Sequence, residues 1–223
     1  MSAPLVLSFD LDDTLWPVEP VILAAEAEMQ AWIKERHPQI LHGHDRVSLR
    51  RMRAGLAERF PQQAHDMTFL RRRMLADLFA AAGKSDDHAD EAFEVFFAAR
   101  NRVTLYEEVE TALKRLSERY QLFALSNGNA DLARCGISQW FAGHVTAISA
   151  GAPKPDIRIF SRLVDEAGVE AHQILHVGDD PQLDVVGAVQ AGLQAAWLNR
   201  NAKPWPAHLP APPRTISSLA EID

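Results

Sequence analysis

Cysteine and long apolar runs are both scarce in this 223-residue sequence. Cys135 is the single cysteine, so no disulfide can form within the chain, and a reducing compartment suits such a composition. No basic segment with an apolar run precedes Leu5. The sequence therefore predicts a cytoplasmic protein. No apolar run approaches the roughly 18 residues that a membrane span needs, so we expect no membrane association.

Positive charge is also in short supply, which limits the possible partners. The chain has 30 acidic and 23 basic residues and a net charge of -7. A general nucleic-acid binder needs a positive surface to displace counterions from phosphates, so we expect no nucleic-acid partner. The arginines of segments 46–53 and 71–73 are interpreted as solvated helix faces. The composition is otherwise that of a globular protein with a full-sized core.

The sequence does contain an apolar run that ends in paired acids. Leu5 to Phe9 leads directly into Asp10 and Asp12. Two neighbouring carboxylates raise each other's pKa unless a cation lies between them. Oxygen ligands at the end of a strand suit Mg²⁺, which prefers to share its site with substrate phosphate. This pattern predicts phosphate chemistry.

Helical and strand patterns are unevenly distributed along the chain. Amphipathic helices are predicted at 18–36, 46–58, 66–82 and 85–102. Further helices are predicted at 107–119, 130–134, 157–167 and 183–191. Between them, strands are predicted at 122–125, 145–149, 174–177 and 194–198, with a weak strand at 214–216.

This order predicts an α/β fold with a doubly wound, mostly parallel sheet. Residues 1–15 and 103–223 would form the catalytic core, and residues 16–102 an all-helical cap inserted after the first strand. The site of such a fold lies at the carboxyl ends of the strands.

Polar residues follow each later core strand as well. They are Ser126-Asn127-Gly128, Lys154 and Gly178-Asp179-Asp180. A hydroxyl, free backbone amides, an ammonium and several acids are the groups needed to hold a phosphoryl group and its metal. In this interpretation Ser126 and the amides bind phosphate oxygens, Lys154 neutralises charge, and Asp10, Asp12 and Asp179 supply metal oxygens.

The motifs, taken together, resemble those of the haloacid dehalogenase-like hydrolase superfamily. They are Asp10-Leu11-Asp12-Asp13-Thr14, Ser126-Asn127-Gly128, Lys154, and Gly178-Asp179-Asp180-Pro181-Gln182-Leu183-Asp184. The resemblance implies a Rossmann-like core with a cap, and a Mg²⁺-dependent phosphatase in which Asp10 forms an aspartyl-phosphate.

The same resemblance implies roles for the other motif residues. Asp12 would be the general acid and base. Mg²⁺ would be held by Asp10, the Asp12 backbone carbonyl and Asp179, with Asp184 orienting a metal-bound water or Lys154. The phosphate-binding set would be Thr14, Ser126, Asn127, Gly128 and Lys154.

Asp12 separates two reaction types within the superfamily. Its dehalogenases keep the nucleophile but lack the second acid and the metal, because halide leaves without a proton, so Asp12 favours a phosphatase.

An inserted helical cap implies a substrate small enough to be enclosed. Segments such as Ile174-Leu175-His176-Val177-Gly178 and Gly192-Leu193-Gln194-Ala195 also resemble the bacterial flavin-pathway phosphatases. This implies 5-amino-6-(5-phosphoribitylamino)uracil, FMN or both as the substrate, and the chain is expected to be a monomer or homodimer.

Other functions remain open on the sequence alone. The chain is compatible with a sugar-phosphate phosphatase, a phosphomutase, or a phosphometabolite-binding regulatory protein on the same core.

Several residues near the motifs also have structural interpretations. Asp180 before Pro181 is expected to cap a helix, Thr14 to bind backbone across its turn, and His176 to be a hydrogen-bonded core residue. Trp16 fits either a pocket or hinge packing, and His37, His42 and His44 are expected in an exposed loop.

Overall fold

The computed structural model describes residues 3–223 of the chain. Its strands are β1 (Val6–Phe9), β2 (Gln121–Ser126), β3 (Gly143–Thr146), β4 (Ile174–Gly178), β5 (Gln194–Leu198) and β6 (Thr215–Ile216). Its helices are α1 (Val18–Arg36), α2 (Arg46–Arg59), α3 (Met67–Ala81), α4 (Asp86–Arg100), α5 (Val109–Ser117), α6 (Ala147–Ala150), α7 (Ile157–Ala167) and α8 (Gly187–Gln190). A π-helical segment, Pro181–Val186, leads into α8.

The described residues form two compact units. The first comprises the segment up to Pro17 together with Thr104–Gly128 and Cys135–Asp223. The second comprises Val18–Val103 and Asn129–Arg134. Among the helices of residues 3–223, none has both the length and the apolar character to cross a membrane.

A six-stranded parallel sheet organises the first unit, as the sequence predicts. The strand order is β3-β2-β1-β4-β5-β6, and every pair is parallel. All four residues of β1 are buried, as expected for a central strand covered on both faces. In register, Phe9 lies opposite Ala124 of β2 and Val177 of β4. The residues that follow these three strands therefore emerge side by side at one edge of the sheet.

Helix α7 shows how local sequence builds this unit. Asp156 caps its amino end by accepting a hydrogen bond from the Arg158 backbone N–H. Ile159, Phe160 and Leu163 are spaced so that all three face the core, and all are fully buried. The helix ends at Gly168, whose φ of 67° is left-handed. Helix α7 thus covers one face of the sheet near β2 and β3.

The second unit has an apolar core of its own. Helix α1 packs on α4, and α3 packs on both α2 and α4. Ala25, Met29 and Ile33 are the buried positions of α1 in this core. The interior also holds charge: Glu26 accepts from Arg53 at 2.9 Å. The guanidinium of Arg71 lies 3.5 Å from the centre of the Phe96 ring.

Some predicted elements are wrong in detail. No helix forms at 130–134, and residues 132–136 are turns. The Asp131 side chain accepts from the Ala133 and Arg134 N–H groups and closes the chain locally. Strand β3 ends at Thr146 and not at Ser149. Thr146 and Ser149 form a capping box that starts α6 instead.

Two further predictions need correction. The helix expected at 183–191 begins earlier and in π form, at Pro181–Val186, before α8. His37 is not an exposed loop residue. It is 9% exposed, and its ring meets Phe79 edge-on with the ring centres 5.2 Å apart.

Candidate active site

The first acid of the motif lies at the carboxyl end of β1 and faces a lysine. Asp10 continues the sheet, because its N–H donates to the Val177 carbonyl at 2.9 Å. The Lys154 Nζ donates to Asp10 Oδ1 at 2.6 Å, and both side chains are buried. Because the two are 144 residues apart in sequence, the sheet topology is what brings them together.

Lys154 is fixed in place from three sides. Its ammonium also donates to the Leu125 carbonyl at 2.9 Å and to Asp184 Oδ1 at 2.6 Å. Its backbone is held by the Asn127 side chain, which accepts from the Lys154 N–H at 2.6 Å and donates to the Lys154 carbonyl at 3.0 Å. Asn127 therefore joins the loops after β2 and α6. Its side chain is committed to that contact, so only its backbone amide fits the predicted phosphate-binding role.

Ser126 ends β2 at the same edge of the sheet. Its Oγ accepts from the Gly128 N–H at 2.9 Å, and the residue is 1% exposed. Ser126 is thus the last residue of β2 and Gly128 lies in the loop that follows, with the Gly128 amide donating to the Ser126 hydroxyl. Phosphate binding by this segment stays a prediction.

Asp184 connects the lysine to a buried histidine. Its Oδ1 lies 3.2 Å from His176 Nε2, and its Oδ2 accepts from the Asp180 N–H at 3.0 Å. The other ring nitrogen of His176 lies 3.1 Å from the Ser8 hydroxyl. His176 is therefore a hydrogen-bonded core residue, as predicted, but one that also supports the site. Both Asp184 oxygens have partners within the protein, and the supporting role implied by the family resemblance stays a prediction.

Asp179 is the half-buried member of the acid cluster. Its backbone carbonyl accepts from the Trp197 indole N–H at 2.9 Å, and its side chain lies at the limit of hydrogen bonding from the Thr14 hydroxyl, at 3.5 Å. The sequence predicts that Thr14 binds backbone across its turn; in the structure its hydroxyl faces the Asp179 carboxylate instead. One carboxylate oxygen each from Asp10, Asp179 and Asp184 lie within 4.8 Å of one another.

The electrostatics of this cluster favour a cation. Burial, together with the nearby Asp184 charge, raises the pKa of Asp10 to about 8 despite the contact with Lys154. Burial and the surrounding carboxylates raise the pKa of Asp179 to about 7. Burial opposes charge on Asp184 also, but Lys154 and His176 outweigh it and lower its pKa. Burial likewise acts against the Lys154 ammonium, yet Asp10 and Asp184 raise its pKa.

A charge count gives the size of the deficit. When Asp10, Asp179 and Asp184 are all ionised, their three negative charges face the single positive charge of Lys154, which leaves two negative charges unbalanced. His176 adds no positive charge, because burial lowers its pKa and keeps it neutral. A divalent cation supplies the missing charge and accepts oxygen ligands. The donor set therefore fits Mg²⁺.

The carboxylate of Asp12 is not part of this cluster. Its Oδ1 accepts from the indole N–H of Trp16 at 2.9 Å, and its carboxylate is not among the three that converge. The sequence groups Asp12 with Asp10 and Asp179 as metal ligands. In the structure its side chain is bound to Trp16, so a metal contact would come from its backbone carbonyl, which is the atom that the family resemblance implies.

Two neighbouring acids have structural roles. Asp180 accepts from the Gln182 and Leu183 N–H groups at 2.8 and 2.7 Å, which confirms the predicted helix cap. Asp13 has a left-handed φ of 60° in the tight turn after β1, and its N–H donates to the Trp16 carbonyl.

Arg200 supports the site without any motif in the sequence to identify it. Its guanidinium donates twice to the Thr14 carbonyl, at 3.2 and 2.8 Å, and pairs with Glu108 at 2.7 Å. It also lies over the Tyr106 ring, 4.0 Å from its centre. The loop after β5 thus supports the turn after β1. A single arginine after a strand carries no recognisable signal in the sequence.

The fold and this constellation define the class of protein. The haloacid dehalogenase-like hydrolase family matches residues 5–192, and the chain therefore belongs to that family. It is a hydrolase with an acid cluster and a buried lysine at the carboxyl edge of a parallel sheet.

Two curated proteins and one solved structure show which individual proteins this chain is similar to. The chain is 33% identical to the 5-amino-6-(5-phospho-D-ribitylamino)uracil phosphatase YigB of Escherichia coli, over 97% of this chain and 93% of that protein. It is 35% identical to a phosphoserine phosphatase of Thermus thermophilus over 60% of this chain and 56% of that one. Among solved structures, a 2-haloacid dehalogenase from Pseudomonas syringae superposes with a TM-score of 0.91 at 37% identity, covering 97% of this chain and 95% of that one.

Proposed function

We propose that this chain is a Mg²⁺-dependent phosphomonoesterase that acts on a small phosphorylated metabolite through an aspartyl-phosphate. The observation that carries the proposal is the buried Asp10–Lys154–Asp184 arrangement, with Asp179 beside it and a second acid, Asp12, held two residues from the nucleophile. The phosphatases among its relatives support the same reaction.

In this mechanism the chain's own residues carry both chemical steps. Asp10 attacks phosphorus, the ester P–O bond breaks, and Asp12 donates a proton to the leaving oxygen. A water molecule then attacks phosphorus of the aspartyl-phosphate while Asp12 takes a proton from that water. The bond between the Asp10 oxygen and phosphorus breaks, so phosphate is released and the Asp10 carboxylate is restored. Lys154 stays bound to Asp10 and neutralises charge near the transferred group.

The metal would be held by Asp10, Asp179 and the Asp12 backbone carbonyl. When bound, it supplies positive charge to the phosphoryl oxygens. Asp184 supports this arrangement through Lys154 and His176.

A dehalogenase is the alternative that a specific comparison favours, because of the Pseudomonas syringae structure. Such a reaction needs a nucleophile but no proton donor for the leaving halide. Asp12 would then have no chemical task, so its presence favours phosphate ester hydrolysis.

For the substrate we propose 5-amino-6-(5-phospho-D-ribitylamino)uracil, with FMN as a second candidate. Support comes from the Escherichia coli relative, which matches along nearly the whole of both chains. Fold alone does not determine a substrate, and the helical unit is proposed to act as the cap that selects it.

The test is phosphate release from a panel of esters. The panel contains the ribitylamino-uracil phosphate, FMN, sugar phosphates and nucleoside monophosphates, each assayed with Mg²⁺ and with EDTA. We expect the highest kcat/KM for the first two substrates and no turnover with EDTA or in Asp10→Asn. Asp165→Asn is the matched control, because Asp165 is exposed on α7.

Three results would contradict parts of the proposal. A flat profile would contradict the flavin-pathway substrate while leaving the phosphatase. Release of halide from 2-chloropropionate, with no phosphate release from any ester, would show a dehalogenase. Conversion of glucose 1-phosphate into an isomer without free phosphate would show a mutase.

A further inference from the structure

Trp16 makes a contact that core packing alone does not require. The residue is fully buried, at 0% exposure, and its indole N–H donates to Asp12 Oδ1 at 2.9 Å. A buried indole N–H needs an acceptor. Here the acceptor is the side chain to which the proposed function gives the proton transfers.

The backbone between the two residues is tightly wound. The Asp13 N–H donates to the Trp16 carbonyl at 2.8 Å, and Asp12 and Trp16 form an isolated parallel bridge. The Leu15 N–H also donates back to the Leu11 carbonyl at 2.7 Å. The indole is therefore anchored both by its burial and by its own short loop, so the donor stays fixed relative to Asp12.

An aspartate side chain has a broad range of terminal torsions. Proton transfer to a leaving oxygen requires the acid to stay within hydrogen-bond reach of that oxygen. A directional donor on a fixed ring restricts the carboxylate to one orientation, whereas packing against an apolar ring would not.

We propose that Trp16 is a positioning residue for Asp12, holding its carboxylate in the orientation that delivers a proton to the leaving oxygen. This inference rests on the proposed function. In the step concerned, the electron pair of the ester P–O bond stays on the leaving oxygen. That oxygen takes the proton from Asp12 while phosphorus becomes bonded to Asp10.

The proton is needed only when the leaving oxygen is strongly basic, and this gives a selective test. Alkyl phosphates leave as poorly stabilised alkoxides, whereas 4-nitrophenyl and 2,4-dinitrophenyl phosphate leave as stable phenolates. Trp16→Phe keeps an aromatic ring and removes the donor. We expect its kcat/KM to fall about tenfold to a hundredfold on alkyl phosphates, the range for one hydrogen bond to a charged group. On the dinitrophenyl ester we expect almost no change.

The design includes three further proteins. Asp12→Asn should show the same selectivity in larger measure, and Trp16→Phe added to Asp12→Asn should cause no further selective loss. Trp140→Phe is the matched control, because Trp140 lies in a short helical turn at Ser138–Trp140, before the amino end of β3, whereas the acid cluster follows the carboxyl ends of the strands. It should behave as the parent.

The outcomes separate this inference from the proposed function. Equal losses on every ester in Trp16→Phe, or an additive selective loss on top of Asp12→Asn, would overturn the positioning role. If Asp12→Asn itself shows no leaving-group selectivity, the acid role in the proposed function fails, and the inference fails with it. Should Trp16→Phe not fold, benzothienylalanine at position 16 replaces the N–H by sulfur within the same ring shape, and the same predictions apply.

Discussion

Replacing Gly178 by alanine should disturb the candidate active site through Asp184, a residue that is not proposed to contact substrate. A Cβ at Gly178 would lie 2.6 Å from Cβ of Asp184 and closer still to its Cγ and Oδ2. Ordinary van der Waals contact begins at 3.4 Å, so Asp184 would have to move by about 1 Å. Asp184 is 2% exposed, so it cannot relieve the clash by turning into solvent.

The size of the effect follows from what Asp184 holds. Overpacking a core costs about 1–3 kcal/mol, and loosening one partner of a buried ion pair costs up to about 3–5 kcal/mol. We therefore expect Gly178→Ala to lose about 3–5 kcal/mol of unfolding free energy, which corresponds to a Tm lower by about 10 °C for a chain of this size. Activity should fall as well, because Lys154 loses its 2.6 Å contact with Asp184.

Chemical denaturation and phosphate release measure the two effects. Gly55→Ala is the matched control, because a Cβ at this position in α2 would meet nothing within 4 Å. A helical glycine replaced by alanine gains up to about 1 kcal/mol, so the same substitution should have the opposite sign there. If Gly178→Ala unfolds at the same denaturant concentration as the parent and remains active, the tight packing of Gly178 on Asp184 is refuted.

Two further predictions concern the metal and the cap of α7. A saturating divalent cation should stabilise the folded chain, by about 2.7 kcal/mol at a concentration one hundred times Kd. A Tm measured with Mg²⁺ and with EDTA should show this difference in the parent and much less of it in Asp179→Asn; an equal difference in both would contradict a role for Asp179 in metal binding. Asp156 is partly exposed, and its bonds to Arg158 hold its pKa at about 2, below the ordinary 3.8. A depressed pKa contributes stability above about pH 4 that disappears as the pH falls towards 2. Asp156→Ala should therefore lose about 1 kcal/mol near neutral pH, and urea unfolding at pH 7 and pH 2.5 should show the gap to the parent closing in acid; a gap that stays constant would contradict the cap.

Much of the sheet follows from the sequence, and so do two of the three carboxylates in the acid cluster, Asp10 and Asp179. Apolar runs that end in polar residues identify parallel strands, and parallel strands align their carboxyl ends. The order of the strands along the chain is therefore enough to predict that Asp10, Lys154 and Asp179 meet at one edge of the sheet. It also groups the Asp12 side chain with them, which the structure does not, and Asp184 is predicted only through the family resemblance. The family resemblance adds proposed roles to these positions.

Other features depend on contacts that a linear pattern does not carry. The segment at 130–134 has helical composition, but the Asp131 side chain closes it locally. The bond from Trp16 to Asp12 depends on the winding of the loop after β1. Arg200 reaches the Thr14 carbonyl across 186 residues of sequence, a distance over which no local pattern can predict a partner.

The position of β1 in the middle of the sheet has a consequence for biosynthesis. Its neighbours are β2, which begins at Gln121, and β4, which ends at Gly178. On a ribosome that adds about 5–20 residues per second, the first strand is complete on the order of ten seconds before either partner exists. During that interval the helical unit, encoded almost entirely between Val18 and Val103, can bury its own apolar residues. Asp10, the proposed nucleophile, is thus made well before the strands that surround it can be assembled.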